Sequence, residues 1–454
     1  MTALSLARKY NVPGPRYTSY PTIPFWNNKA PAIKFWQESI CSIFDETNNK
    51  EGISIYIHLP YCESLCTYCG CNTRITVNHA VEAPYIEAVL KEWSIYLSIF
   101  PASPVIREIH LGGGTPTFFK PENLAILIDG ILEKSIRHDD FEFSIEGHPN
   151  NTTEAHLETL ANLGFKRISY GIQDFDPEVQ NIINRVQPLD NVIAATLMAR
   201  KHGFTSINYD LVYGLPKQTL AGIRDTINKV TELSPDRIAF YSYAHVPWLK
   251  PGQRKFTEVD LPDDETKHRL YETGREMLEA AGYKQVGMDH FALAEDAIYK
   301  AAEAKNLHRN FMGYTTTSTH LLLGLGVSSI SDSWTCFVQN EKTIDDYYYA
   351  LAEGRLPFFK GHSLNTEDLV IRRFILDLMC HFEASWEADS AFSSFFDNGA
   401  KQLKEMVRDG LVEIFDHRVV VTTAGRPFVR NICMIFDSKL VKNTPEKQIF
   451  SNTI

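Results

Sequence analysis

Residues Ile53–Cys71 read ISIYIHLPYCESLCTYCGC. The stretch opens on a short run rich in Ile and Tyr, the pattern of a strand covered on both faces. It closes on four cysteines within ten residues: Cys62, Cys66, Cys69 and Cys71. A disulfide framework spreads its cysteines to staple distant loops, whereas a tight cluster reads as a metal site. Cys62, Cys66 and Cys69 are spaced by four and three, so their thiolates can wrap one centre. A structural zinc would need a fourth ligand in tetrahedral array. Cys71 is the available fourth, but Cys69-Gly70-Cys71 is cramped for one ion, and no second Cys or His pair of finger spacing follows. A 4Fe–4S cluster held by three cysteines leaves one iron open. The spacing alone admits a cluster, a zinc ion or neither.

Outward from this stretch, strand and helix patterns alternate. IREIHLGG (106–113), EFSIEGH (142–148), RISYGIQ (167–173), SINYDLVYG (206–214) and RIAFYSYA (237–244) follow the first strand. Helix-like stretches lie between them, among them Tyr85–Ile99, Pro121–Lys134, Glu154–Leu163 and Leu189–His202. Six strand-then-helix units imply parallel strands with crossover helices, an α/β fold. We expect a partial (β/α)6 TIM-like barrel over about 53–245, with its chemistry at the C-terminal strand ends. A helix at 264–281, a strand at 284–292, and the stretches 308–317 and 321–331 continue this body to residue 362. Residues 1–48 form an N-terminal arm. Its GPRYTSYPT (Gly14–Thr22) is too proline-rich for a helix, and Tyr17, Tyr20 and Phe25 favour docking on another surface. Residues 363–454 change character. Asn365 caps an amphipathic helix with Asp368 at its third position, then come a helix (400–408), a hairpin (411–422) and a last helix. That order predicts a small, mostly helical, winged-helix-like domain.

Composition sets the outer bounds. The 454 residues are 44% hydrophobic and 22% charged, which excludes a disordered or collagen-like chain. Lys and Arg number 45 against 56 Asp and Glu, a net charge of -11, so a nucleic-acid partner is not expected. The N-terminus lacks the basic-then-apolar pattern of a signal peptide, and no apolar run is long enough for a membrane span. A cytoplasmic chain is expected. Cys41, Cys336, Cys380 and Cys433 read as core thiols.

HLGGGTP (His110–Pro116) follows the second strand. One βα unit after CxxxCxxC, this glycine run resembles the radical S-adenosylmethionine (SAM) superfamily. The resemblance extends to the oxygen-independent coproporphyrinogen III oxidase family. GPRYTSYPT, YIHLPYC with CGCN, HLGGGTPT, GIQDF, INRVQP, NYDLVYGLPKQT, SYAHVP, GMDHFA, HRNFMGYTT, LGLGVSSIS and RNICMIFD look like its segments, in family order over almost the whole chain. The chain departs from the pattern at EGHPNN, at THLLLG and at Tyr68.

The resemblance implies a radical SAM barrel in which Cys62, Cys66 and Cys69 ligate a 4Fe–4S cluster. It implies two SAM molecules. Tyr56, Gly113, Glu146 and Ile330 would line the first, and Tyr68, Gly114, Thr115, Gln173, Arg185, Asp210 and Ala244 the second. A carboxylate such as Glu146 suits a ribose diol, and Arg185 with Asp210 offers opposite charges to a zwitterionic tail. Tyr56, Glu146 and Cys71 are the expected catalytic side chains. The implied reaction turns two propionates of coproporphyrinogen III into vinyl groups by way of a 5′-deoxyadenosyl radical. A large tetrapyrrole needs a wide mouth with cations, and Arg16, Tyr17, Tyr20 and Arg309 are the expected rim. A flavodoxin- or ferredoxin-like electron donor and a monomeric chain are expected. The competing readings are a haem-binding chaperone of the same superfamily, a radical enzyme for another tetrapyrrole, and a structural zinc protein.

Overall fold

The structure is a computed structural model that describes residues 3–26, 33–443 and 448–453. Six strands carry the βα repeat: β1 (Ile53–Leu59), β2 (Val105–Gly113), β3 (Ile136–Gly147), β4 (Phe165–Gln173), β5 (Ser206–Tyr213) and β6 (Arg237–Ser242). All five successive pairings are parallel. Ile53, Ile55, Ile57 and Leu59 of β1 are fully buried, as expected where helices cover both faces of a sheet. Helices Glu82–Ile99, Pro121–Leu132, Glu154–Asn162, Leu189–Lys201 and Leu220–Leu233 supply the crossovers. A short helix the pattern did not announce, Pro177–Ile182, starts where the Asp176 side chain accepts from the Glu178 and Val179 N–H groups.

The barrel stays open. Beyond β6 the sheet continues through two short strands, β7 (Lys284–Val286) and β8 (His290–Ala292), which form a hairpin with β8 antiparallel to β6. The sequence reads 284–292 as one strand. The chain turns instead at Gly287, whose φ is +60°, with the Tyr314 ring packed against the place a Cβ would take. Beyond β1 lie β9 (Leu322–Leu325), β10 (Ile330–Asp332), β11 (Cys336–Asn340) and β12 (Phe358–Ser363); β9 runs parallel to β1, and the rest alternate. Glu92, on the helix behind β1, ties this flank down. Fully buried, it accepts from the Gly326 N–H (2.9 Å), the Asn340 amide (2.7 Å) and the Tyr347 hydroxyl (2.6 Å).

After β12, helix Thr366–His381 opens a second hydrophobic core. Its Asn365 cap accepts from the Asp368 N–H, as the sequence predicts. Helices Ser393–Gln402 and Lys404–Arg408 precede a hairpin, Val412–Phe415 with Arg418–Val421. A third strand, Glu383–Ser385, pairs with that hairpin and completes a winged-helix order. At three residues it is too short to show alternation in the sequence.

The segment before β1 divides. Helix Ile33–Thr47 packs Trp36, Ile40 and Phe44 into the main core. Leu6, Tyr17 and Tyr20 instead enter the C-terminal core. Arg430 fastens the arm there: it donates to the carbonyls of Gly14, Pro15 and Thr453, and Gly14 N–H donates to Ser451.

Candidate functional site

The cysteine loop leaves β1 at Leu59 and closes on its own base. Tyr61–Cys62 pairs in parallel with Arg74–Ile75, Arg74 N–H donates to Pro60 (2.7 Å), and Thr76 N–H donates to Cys62 (2.9 Å). The glycine run at the end of β2 is stitched to its base, Gly114 N–H to Leu59 (2.8 Å) and Thr115 N–H to Tyr61 (2.9 Å). Two of the glycines are needed for this seam. A Cβ on Gly114 would stand 2.7 Å from the Pro60 carbonyl, and one on Gly113 (φ +115°) would stand 2.7 Å from the His58 ring. They serve the close approach of two protein segments.

These loops and the ends of β3 to β6 enclose a cavity of about 490 Å³. Cys62, Cys66, Cys69 and Cys71 line one side, with Tyr68 and the Gly113–Thr115 backbone beside them. Glu146, Gln173, Arg185 and Asp210 line the other. Parallel strands with their C-terminal ends on one side bring these residues together from five separate units. Three of the residues expected against SAM are not in its wall. Tyr56 lies behind it, its hydroxyl bonded to His58 Nδ1 (3.0 Å) and its ring stacked on His110. Ala244 presents its carbonyl to the Gln253 amide, which also donates to Tyr68. Ile330 sits two strands from β1 and packs toward Trp26 and Phe337.

The electrostatics are divided. The cavity walls withdraw Glu146 from bulk water, which opposes its charge. Hydrogen bonding and charge from His110, with the Gly113 N–H at 3.1 Å, outweigh this and hold its carboxyl below the ordinary value. Asp210 is pushed up to about 6, by burial first and by the Glu146 charge second, although Ser169 and Asn208 donate to it. Arg185 spends two N–H groups on the Gly171 carbonyl and rests a third 3.6 Å from Cys66 Sγ. Cys69 is lowered to about 6, chiefly by hydrogen bonding from Cys71, with Arg185 and Lys250 adding their charge. Burial pushes Cys62 up to about 11.

The donor set suits an iron–sulfur cluster. All eight cysteines are free thiols, and three of the four on this loop keep the four-and-three spacing. Among the described residues no three His, Cys, Asp or Glu side chains already close on one point; Cys62, Cys66 and Cys69 share a cavity wide enough for a larger centre.

The expected substrate rim is corrected. Tyr17 and Tyr20 are 4% and 1% exposed, and their hydroxyls meet Asp437 and Ser438 inside the C-terminal core. Arg309 is 7% exposed, lies over the Tyr314 ring and donates to the Arg16 carbonyl. Arg16 donates to Ser242 at the end of β6 but turns into a different cavity. Apolar rings and a tail of distant residues claimed these side chains first. Sequence reasoning missed His58, which bridges Tyr56 and the Asn72 carbonyl (2.8 Å). The signal was present: Tyr56 and His58, two apart on β1, share a face. It also missed His148 and Tyr241 in the cavity wall.

Residues 56–230 match the model of the Radical SAM superfamily. A curated relative from Synechocystis sp., named oxygen-independent coproporphyrinogen III oxidase, is 37% identical over 99% of this chain and 97% of its own length. The protein of that name from Escherichia coli is 37% identical over 99% and 98%. The solved structure of coproporphyrinogen III oxidase from Escherichia coli, titled a radical SAM enzyme, superposes with a TM-score of 0.88 at 36% identity, covering 93% of this chain and 97% of that one.

Proposed function

Because the chain belongs to the oxygen-independent coproporphyrinogen III oxidase family, within the radical SAM superfamily, we propose that it oxidises two propionate side chains of coproporphyrinogen III to vinyl groups, giving protoporphyrinogen IX. One observation carries the reading: a three-cysteine loop, a glycine seam and opposed charged groups open into one cavity at the ends of parallel strands. Each round removes a β-hydrogen, carbon dioxide and one electron from a propionate. Bound in this cavity, a 4Fe–4S cluster and SAM supply a carbon-centred radical able to take that hydrogen.

The residues divide the work. Cys62, Cys66 and Cys69 would hold the cluster through their three thiolates, and the cluster would supply the electron that cleaves SAM. Glu146, oriented by the Gly113 N–H and His110, takes the ribose hydroxyls of that SAM. Tyr56 supports Glu146 from behind through His110, on which its ring stacks and which faces the carboxylate. Arg185 and Asp210 take the charged ends of a second SAM between Tyr68 and Gln173. With its carboxyl pushed only to about 6, Asp210 still carries its charge at neutral pH. Cys71, beside Cys69 and open to solvent, acts after cluster assembly. A flavodoxin- or ferredoxin-like donor supplies the electron, and the chain works as a monomer. Among the described residues no helix is long and apolar enough to cross a membrane.

The test is anaerobic incubation with coproporphyrinogen III, SAM and dithionite, read by product mass. The expected product has lost two carboxyl groups as vinyls. Formation of 5′-deoxyadenosine with unchanged coproporphyrinogen would overturn the assignment of this substrate.

A further inference from the structure

A second cavity, of about 660 Å³, lies across the sheet from the first. On β6, Tyr241 faces the cysteine cavity, while Phe240 and Ser242 face the other one. On β5, Val212 and Tyr213 divide in the same way. Strand alternation therefore makes the sheet a partition, and the two cavities share no lining residue. The second is closed by helix Asp264–Ala280, the C-terminal module and the arm. Its size falls within the roughly 300–1,000 Å³ of small-molecule sites.

Its wall combines aromatic rings with unspent polar groups. Tyr213, Phe240, Tyr271 and Phe428 supply flat apolar surface. Among the described residues, two buried polar atoms in this wall have no hydrogen-bond partner, Tyr271 Oη and Gln285 Nε2, and Tyr271 is only 7% exposed. Such atoms are costly unless something else satisfies them. Arg16 enters from the arm with one hydrogen bond, to the Ser242 carbonyl (3.1 Å), and among the described residues it has no ion pair. The other guanidinium at this end, Arg430, is engaged by backbone carbonyls. The facing carboxylate, Asp289, is taken by His290 at 2.7 Å. At the far end, Arg275 is held by Glu272 and Glu279.

We propose that this flank cavity is a second binding site, for a flat apolar carboxylic acid held away from the reacting atoms. Arg16 takes the carboxylate, the rings take the body, and Tyr271 with Gln285 takes a second polar group. The choice of a propionate-bearing tetrapyrrole as the occupant rests on the function proposed above. The cavity's chemistry is independent of it.

The test uses the anaerobic holoenzyme and coproporphyrin III, the oxidised form that cannot be turned over, with binding followed by fluorescence. Two equivalents per chain are expected at saturation. Ala424→Trp, at an exposed residue on the cavity wall, should reduce this to one without changing iron content or 5′-deoxyadenosine formation. Tyr271→Phe and Arg16→Gln should each weaken one class at least about fivefold, the worth of one hydrogen bond. The tetramethyl ester, which has no carboxylate, should lose the same class. Equal stoichiometry in the unaltered enzyme and in Ala424→Trp would overturn the proposal. The readout is the class lost on Ala424→Trp, whatever the cysteine cavity binds, so the two readings fail separately.

Discussion

At Glu92 a carboxyl sits in the core with three donors and, among the described residues, no ion-pair partner. Burial pushes it up to about 7, against an ordinary 4.5, and the donors only partly oppose this. The folded chain then holds a proton that the unfolded chain releases between these values. The stabilisation is full below about pH 4.5 and is lost as pH rises through about 7, a change of roughly 3 kcal/mol. Thermal melting at pH 5 and pH 8 should show that loss, and Glu92→Gln should flatten it; parallel curves for the two proteins would rule it out. The cysteine loop gives a second prediction at this scale. Cys62→Ser, Cys66→Ser and Cys69→Ser should each abolish iron uptake on anaerobic reconstitution. Cys71→Ser should retain iron and sulfide but lower turnover. Equal iron loss in all four would mean a four-thiolate centre.

Within the arm, the stretch Gly14–Thr22 has no helix or strand of its own. Its tyrosines fill the C-terminal core, so Tyr20→Ala should cost about 3–5 kcal/mol, as large aromatic truncations do. Tyr20→Phe, which removes only the contact with Ser438 (3.0 Å), should cost about 1 kcal/mol. Urea unfolding monitored at the C-terminal module distinguishes them; equal effects would mean that the hydroxyl, not the ring, is what counts. The sequence revealed those elements whose signal is local. The Ile- and Tyr-rich β1 run, the cysteine spacing, the glycine run and the Asn365 cap each lie within a dozen residues. The direction of Arg16 was not legible. A proline-rich segment has no period to read, and its seat is made by Arg430, more than four hundred positions away. The same distance hid the burial of Tyr17 and Tyr20. The turn at Gly287 was hidden too, because the Tyr314 ring that packs there comes from another hairpin.

For the molecule as a whole, the arm and the cysteine cavity are structurally separable. A chain lacking residues 1–24 should still take up iron and cleave SAM, because no described residue of the arm lines that cavity. It should melt at lower temperature, through the uncovered C-terminal core, and decarboxylate poorly. Full-rate decarboxylation by the truncated protein would show that the arm is dispensable for turnover. The clasp of Gly14 and Pro15 by Arg430, Ser451 and Thr453 also sets an order of events on the ribosome. Strands β1 to β6 are complete once residue 242 is synthesised, but the arm has no finished seat until residue 453 emerges. At roughly 5–20 residues per second, that interval is on the order of 10–40 s. During translation the nascent barrel therefore carries its thiols without the arm in place. It also carries Tyr17 and Tyr20 without the core they fill, so the arm is the last part of the fold to set.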